Sequence, residues 1–154
     1  METKPLLKLT LLMPSQCAGE WQEPLQRAIQ VGFSPDNNPK GVETVMAQLK
    51  RGRYRAYVLG ASLPEQPEQA AVAIAICYRV IDEALGQYVF FIWALLGTEH
   101  LAGEDWQQGF RMLRDEARKL QCNRIQAISN NPRVIELVEQ LGGKADKRLI
   151  NLEV

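Results

Sequence analysis

Gln87-Tyr88-Val89-Phe90-Phe91-Ile92-Trp93-Ala94-Leu95-Leu96 decides the fold class. Alternate positions give two sets: Val89, Phe91, Trp93 and Leu95 on one side, Tyr88, Phe90, Ile92, Ala94 and Leu96 on the other. Both sets are apolar. A strand carries apolar residues on both faces only when both faces are covered, so the stretch predicts a central strand of a layered α/β domain. Gly97 ends the run, and a polar loop leads to Glu104-Asp105. A helical stripe follows, Trp106, Phe110, Leu113, Ala117 and Leu120, at alternating steps of four and three. Acids at its start and Arg118-Lys119 at its end run with the helix macrodipole. Asp105 is placed to cap this helix. A buried strand, a Gly-containing loop and a helix N-terminus together make a potential anion site.

Upstream, Leu6 to Met13 reads as a strand ended by Pro14. Trp21, Leu25, Ala28 and Ile29 keep helical spacing from Ala18 to Val31, with Pro24 in the first turn and Gly32 as the stop. The cluster from Ser34 to Pro39 predicts a turn, and Val42, Val45, Met46 and Leu49 a second helix to about Lys50, broken by Gly52. Tyr54 to Ala61 is the next strand, Leu63 to Gln69 an exposed hairpin loop, and Ala71 to Ile81 a third strand. In that third strand Val72, Ile74, Ile76, Tyr78 and Val80 face one side. Ala73, Ala75 and Cys77 face the other and are small enough to let a neighbour approach closely.

Downstream of the long helix, Asn123 to Ser129 predicts a short strand. Asn130-Asn131-Pro132 predicts a helix start, carrying Val134, Leu137, Val138 and Leu141 to a stop at Gly142-Gly143. Leu149 to Val154 closes the chain as a last strand. The predicted order is β-α-α-β-β-β-α-β-α-β, a single domain over residues 1–154 with a central mixed sheet flanked by helices.

Composition removes several classes of function. Eighteen Lys plus Arg balance 18 Asp plus Glu, so no global field draws the chain to nucleic acid or an anionic membrane. No apolar run reaches bilayer length, and Lys4 and Lys8 interrupt the N-terminal apolar residues too early for a signal peptide. Cys17, Cys77 and Cys122 lack any paired metal spacing and predict reduced thiols in a cytoplasmic protein. Lys50, Arg51, Arg53 and Arg55, with Tyr54 and Tyr57 between them, form the densest positive cluster. With zero net charge the cluster is read as a solvated helix end and strand edge. Neither Ser129 nor Cys122 has a visible base partner.

The order of elements, and above all the stretch from Gln87 to Gly143, resembles the GNAT family of acyl-CoA-dependent N-acyltransferases. In that family a loop written Gln/Arg-x-x-Gly-x-Gly/Ala presents backbone amides to the CoA pyrophosphate. The corresponding residues here are His100-Leu101-Ala102-Gly103-Glu104-Asp105, of which Gly103 matches. A later signature, Asn-x-x-Ala-x-x-x-Tyr-x-x-x-Gly-Phe, aligns on Asn131 and puts Val134 at Ala, Val138 at Tyr, Gly142 at Gly and Gly143 at Phe. The resemblance implies acetyl-CoA as cosubstrate, held by Leu95, Leu96, Gly97, His100, Gly103 and Asn131 where acyl-CoA binding is retained. It implies no metal and no assigned catalytic residue, because Val138 cannot donate the proton that the family's tyrosine gives to the departing thiolate.

Two functions are therefore expected. One is a GNAT-fold protein with weakened or lost acyltransferase chemistry, used for binding or assembly. In size and in its worn motifs it is similar to small GNAT-like virion-associated proteins of tailed phages. The alternative is an active N-acetyltransferase with a divergent pyrophosphate loop and an amine acceptor. A homodimer or a protein partner is expected through a sheet edge at Leu149–Val154.

Overall fold

The computed structural model describes residues 4–32, 39–97, 101–129, 131–147, 150 and 152. Five strands form one mixed sheet in the order β1-β2-β3-β4-β5: Leu6–Leu11, Arg55–Leu63, Gln66–Asp82, Gln87–Gly97 and Arg124–Ala127. Neighbours from β1 to β4 are antiparallel, and β4 and β5 are parallel. Parallel neighbours need a crossover, and α4 (Gly103–Lys119) supplies it. The helices α1 (Pro14–Ala18), α2 (Gln22–Gly32) and α3 (Pro39–Lys50) precede β2, and α5 (Pro132–Gln140) follows β5.

The apolar residues of β4 serve two cores, as a two-sided strand requires. On one face Leu25, Ile29, Val45, Met46 and Leu49 of α2 and α3 pack on Val58, Ile74, Ile76 and Ala94. On the other, Leu113 and Ala117 of α4 pack on Tyr57, Ala75, Cys77, Phe90 and Ile92. What approaches the small residues of β3 is α4. Its Gly109 comes so close that an added Cβ would lie 3.3 Å from Leu59 Cδ2. Tyr57 is fully buried beneath α4, and burial pushes its phenol up to about 12, with Arg55 drawing it partly back. Its hydroxyl makes no well-formed hydrogen bond.

Several sequence expectations are corrected. Within the five strands β3 is the middle one, and β4 is interior beside it. Pro14 starts a short helix, α1, that the sequence reading did not include, and the helix read from Ala18 to Val31 is α2, Gln22–Gly32. The predicted loop at Leu63–Gln69 shrinks to Pro64-Glu65, because Leu63 pairs with Gln66. Pro67 is tolerated there because β4 pairs with β3 only from Ala73 onward, leaving the earlier residues an edge. The last helix packs against α4, tied by Gln107 Nε2 donating to Gln140 Oε1 at 2.8 Å and Arg114 donating to the Leu141 carbonyl at 3.3 Å. Of the predicted last strand, Ile150 and Leu152 are exposed and lie in no strand. Its other residues lie outside the described ones.

Candidate functional site

The pairing of β4 with β5 stops early. It runs from Val89↔Arg124 to Ile92↔Ala127, where β5 ends, while β4 continues to Gly97. The parting coincides with a bulge: Ile76 pairs with Ala94 and Cys77 with Ile92, which leaves Trp93 as an extra residue in β4. A bulge bends its strand and raises its twist, and this one lies directly past the last β4–β5 pair. Among the described residues no strand pairs with 93–97 on the β5 side. The main-chain groups on that edge face a gap in the sheet, where no described strand takes up the pairing. Unpaired main-chain groups need a partner, and the carboxyl ends of parallel strands are where α/β sheets take ligands.

The bulge also moves side chains across the sheet. Past the extra residue the alternation changes phase, so Ala94 and Leu96 join the α2 side and Leu95 joins the α4 side, the reverse of the sequence expectation. Both leucines keep main-chain partners on β3, Leu95 with Ala75 and Leu96 with Ile74. Their other edge lines the gap. Gly97 closes the strand under Trp106, where an added Cβ would lie 2.2 and 2.4 Å from two indole carbons.

At the mouth of the gap α4 begins. Its N-cap is Ala102, which supplies no side-chain hydrogen bond, and Trp106 N–H donates to the Ala102 carbonyl at 3.1 Å. The expected cap, Asp105, is instead the third residue of the helix. The first-turn amides of Gly103, Glu104 and Asp105 therefore have no acceptor within the helix. Glu104 turns outward, 83% exposed and 3.6 Å from Lys4 Nζ. Around Gly103 an added Cβ would meet nothing within 4 Å, so the approach is open.

His100 lies outside the described residues. Asn131 is the N-cap of α5, its side-chain oxygen accepting from Arg133 N–H at 3.0 Å, so its amide serves the helix. Sequence reading missed Arg133, whose guanidinium donates to the Leu101 carbonyl at 3.2 Å and draws the starts of α5 and α4 together. No periodicity marks it; its position directly after the cap and Pro132 was the available signal. Val138 and Gly143, two of the three departures from the later signature, are packed against each other. A Cβ at Gly143 would sit 2.4 Å from Val138 Cγ1.

Other reactive groups are muted. Burial pushes the Cys17, Cys77 and Cys122 thiols up, away from the thiolate form a nucleophile needs. Ser129 Oγ accepts from Asn131 N–H at 3.1 Å. Among the described residues no group of three His, Cys, Asp or Glu could hold a metal, and no helix is long and apolar enough to cross a membrane.

No family model and no curated protein matches the chain. Solved structures do. An aminoglycoside acetyltransferase from an uncultured soil metagenomic sample superposes with a TM-score of 0.68 at 15% identity, over 97% of this chain and 99% of that one. The ribosomal-protein-alanine N-acetyltransferase of Brucella melitensis gives 0.63 at 17% identity, over 96% and 99%. A predicted acetyltransferase of Clostridium acetobutylicum, crystallised with acetyl-CoA, gives 0.66 at 10% identity, over 96% of each chain. At such identities the likeness is one of fold, and it runs the length of the chain: this protein has the GNAT acetyltransferase fold.

Proposed function

We propose that the gap between β4 and β5 is an acyl-CoA site and that the protein is an N-acetyltransferase acting on an amine. The observation that carries this reading is the parting of the two strands at the Trp93 bulge, with the uncapped start of α4 at its mouth. The unpaired edge at 93–97 offers main-chain groups to an extended, amide-bearing chain. The amides of Gly103 to Asp105 offer donors to phosphate, helped by the dipole of the 17-residue helix. Bound acetyl-CoA would supply an acetyl group that the amine takes, forming a C–N bond, breaking the C–S bond and passing the amine's proton to the thiolate. With Val138 at the family's tyrosine position, that proton travels through water. The outward Glu104 favours this reading over that of lost acyltransferase chemistry.

Acetyl-CoA at about a hundred times its Kd should raise stability by roughly 2.7 kcal/mol, read as a thermal shift. No shift at millimolar acetyl-CoA would end the reading. It would promote the second one, a binding or assembly module, which the Val138–Gly143 pair favours because it removes both the proton donor and the aromatic residue of the family signature. The outer edge of β5, unpaired among the described strands, suits a strand from a second copy, so a dimer is expected by light scattering. A monomer at every concentration would exclude it.

A further inference from the structure

Beside the gap, on the face opposite α4, four aromatic side chains touch in series. Trp93, the bulged residue, lies 6.2 Å from Phe91 between ring centroids, Phe91 lies 5.2 Å from Tyr78, and Tyr78 stacks on Tyr54 at 4.6 Å and 17°. All four are half-buried, unlike the wholly buried Phe90 on the other face. The row crosses β4, β3 and the start of β2, since Phe91 pairs with Tyr78 and Arg55 with Cys77. Its flank is open. Val80, two residues along β3 on the same face, is 42% exposed, and Gln126, paired with Phe91 in β5, is exposed as well. Core packing accounts for Trp93 and Tyr54, which rest against the α2–α3 core. It does not account for a continuous aromatic row that leaves the core and keeps an open side.

We infer that this row is the acceptor platform, and that the acceptor is a primary amine carried on an aromatic ring. The inference rests on the acetyltransferase reading for its direction, because the row starts at the residue where β4 leaves β5. Aromatic faces hold another ring by offset or edge contacts and attract an ammonium through the ring quadrupole. Charge sets the orientation. Arg51 and Arg53 are exposed in the turn before Tyr54, at the far end of the row, and repel an ammonium from there. The Asp82–Arg124 pair near the β3–β4 turn is balanced and offers no competing pole. The amine is therefore directed toward Trp93 and the gap.

The probes are 2-phenylethylamine and 2-cyclohexylethylamine, equal in charge and similar in size, titrated calorimetrically into the whole protein. The aromatic amine should bind about three- to tenfold tighter. Tyr78→Leu should abolish that preference and Tyr78→Phe should keep it, with the melting of each variant followed to show that it folds. Equal binding of the two amines, no binding of either, or a preference that survives Tyr78→Leu would overturn the platform. Acetyl-CoA is titrated separately. A protein that binds acetyl-CoA and shows no ring preference loses this inference alone, whereas ring preference without acetyl-CoA binding leaves the row a ring-binding surface and removes both its acceptor role and the acetyltransferase reading.

Discussion

Leu113→Ala is expected to cost about 2–5 kcal/mol of stability, measured by denaturant unfolding with an unchanged slope. Leu113 is 4% exposed and is the residue through which the middle of α4 enters the core of Tyr57, Ala75, Cys77, Phe90 and Ile92. The loss has two parts, the lost transfer of the removed methyl groups and the void they leave. The void decides where in the range the value falls. Leu113 already borders a small apolar cavity of about 20 Å³, shared with Leu59, Ala73, Leu95 and Gly109. Truncation merges the new space with the old. Collapse is hindered because β1 to β4 are held together by antiparallel pairing. The upper half of the range is therefore expected. A change under about 1 kcal/mol would mean that α4 does not rest on the sheet as described.

That dependence on α4 was legible in the sequence, and the reason is periodicity. The stripe from Trp106 to Leu120 and the two-sided run from Tyr88 to Leu96 each repeat one simple rule over many residues, and each is found where predicted. Capping at Asn131-Pro132 was legible because the chemistry is local: one side-chain oxygen, one amide, and one residue without an N–H. The gap was only partly legible. Its edge residues Leu95, Leu96 and Gly97 were identified through a family resemblance, but the extra residue at Trp93 leaves no local mark. A bulge is set by how two strands meet, and the register with Ile76 and Cys77 is a property of the sheet, not of β4 alone. For the same reason the faces of Ala94, Leu95 and Leu96 were inverted in the sequence reading. The start of α4 failed differently. Asp105 has the better capping side chain, yet Ala102 takes the cap position, because packing of Trp106 against Gly97 fixes where the first turn lies. Tertiary contact overrode local preference.

That last contact yields the sharpest double test of the site. Gly97→Ala places a methyl group 2.2 Å from one Trp106 ring carbon and 2.4 Å from another, far inside any real contact. The methyl carbon is fixed to the backbone, so the indole must leave. Trp106 is in the first turn of α4 and touches Phe110 one turn on, at 6.3 Å between centroids, so displacing it disturbs the start of the helix. Overpacking of this kind costs about 1–3 kcal/mol. The functional loss should be larger than the stability loss implies, because the displaced turn carries the amides of Gly103 to Asp105 at the mouth of the gap. Acetyl-CoA affinity is expected to fall by about tenfold or more, the effect of roughly 1.4 kcal/mol lost from binding. A second substitution separates steric displacement from any other effect of the methyl group. In a Trp106→Leu background the ring that Gly97 accommodates is absent, so adding Gly97→Ala should change stability by much less than it does in the native protein. The difference between the two backgrounds is the coupling energy, and residues in direct contact typically show about 0.5–3 kcal/mol. Equal costs in both backgrounds would mean that Trp106 does not lie over Gly97, and the geometry assigned to the mouth of the gap would fall with it.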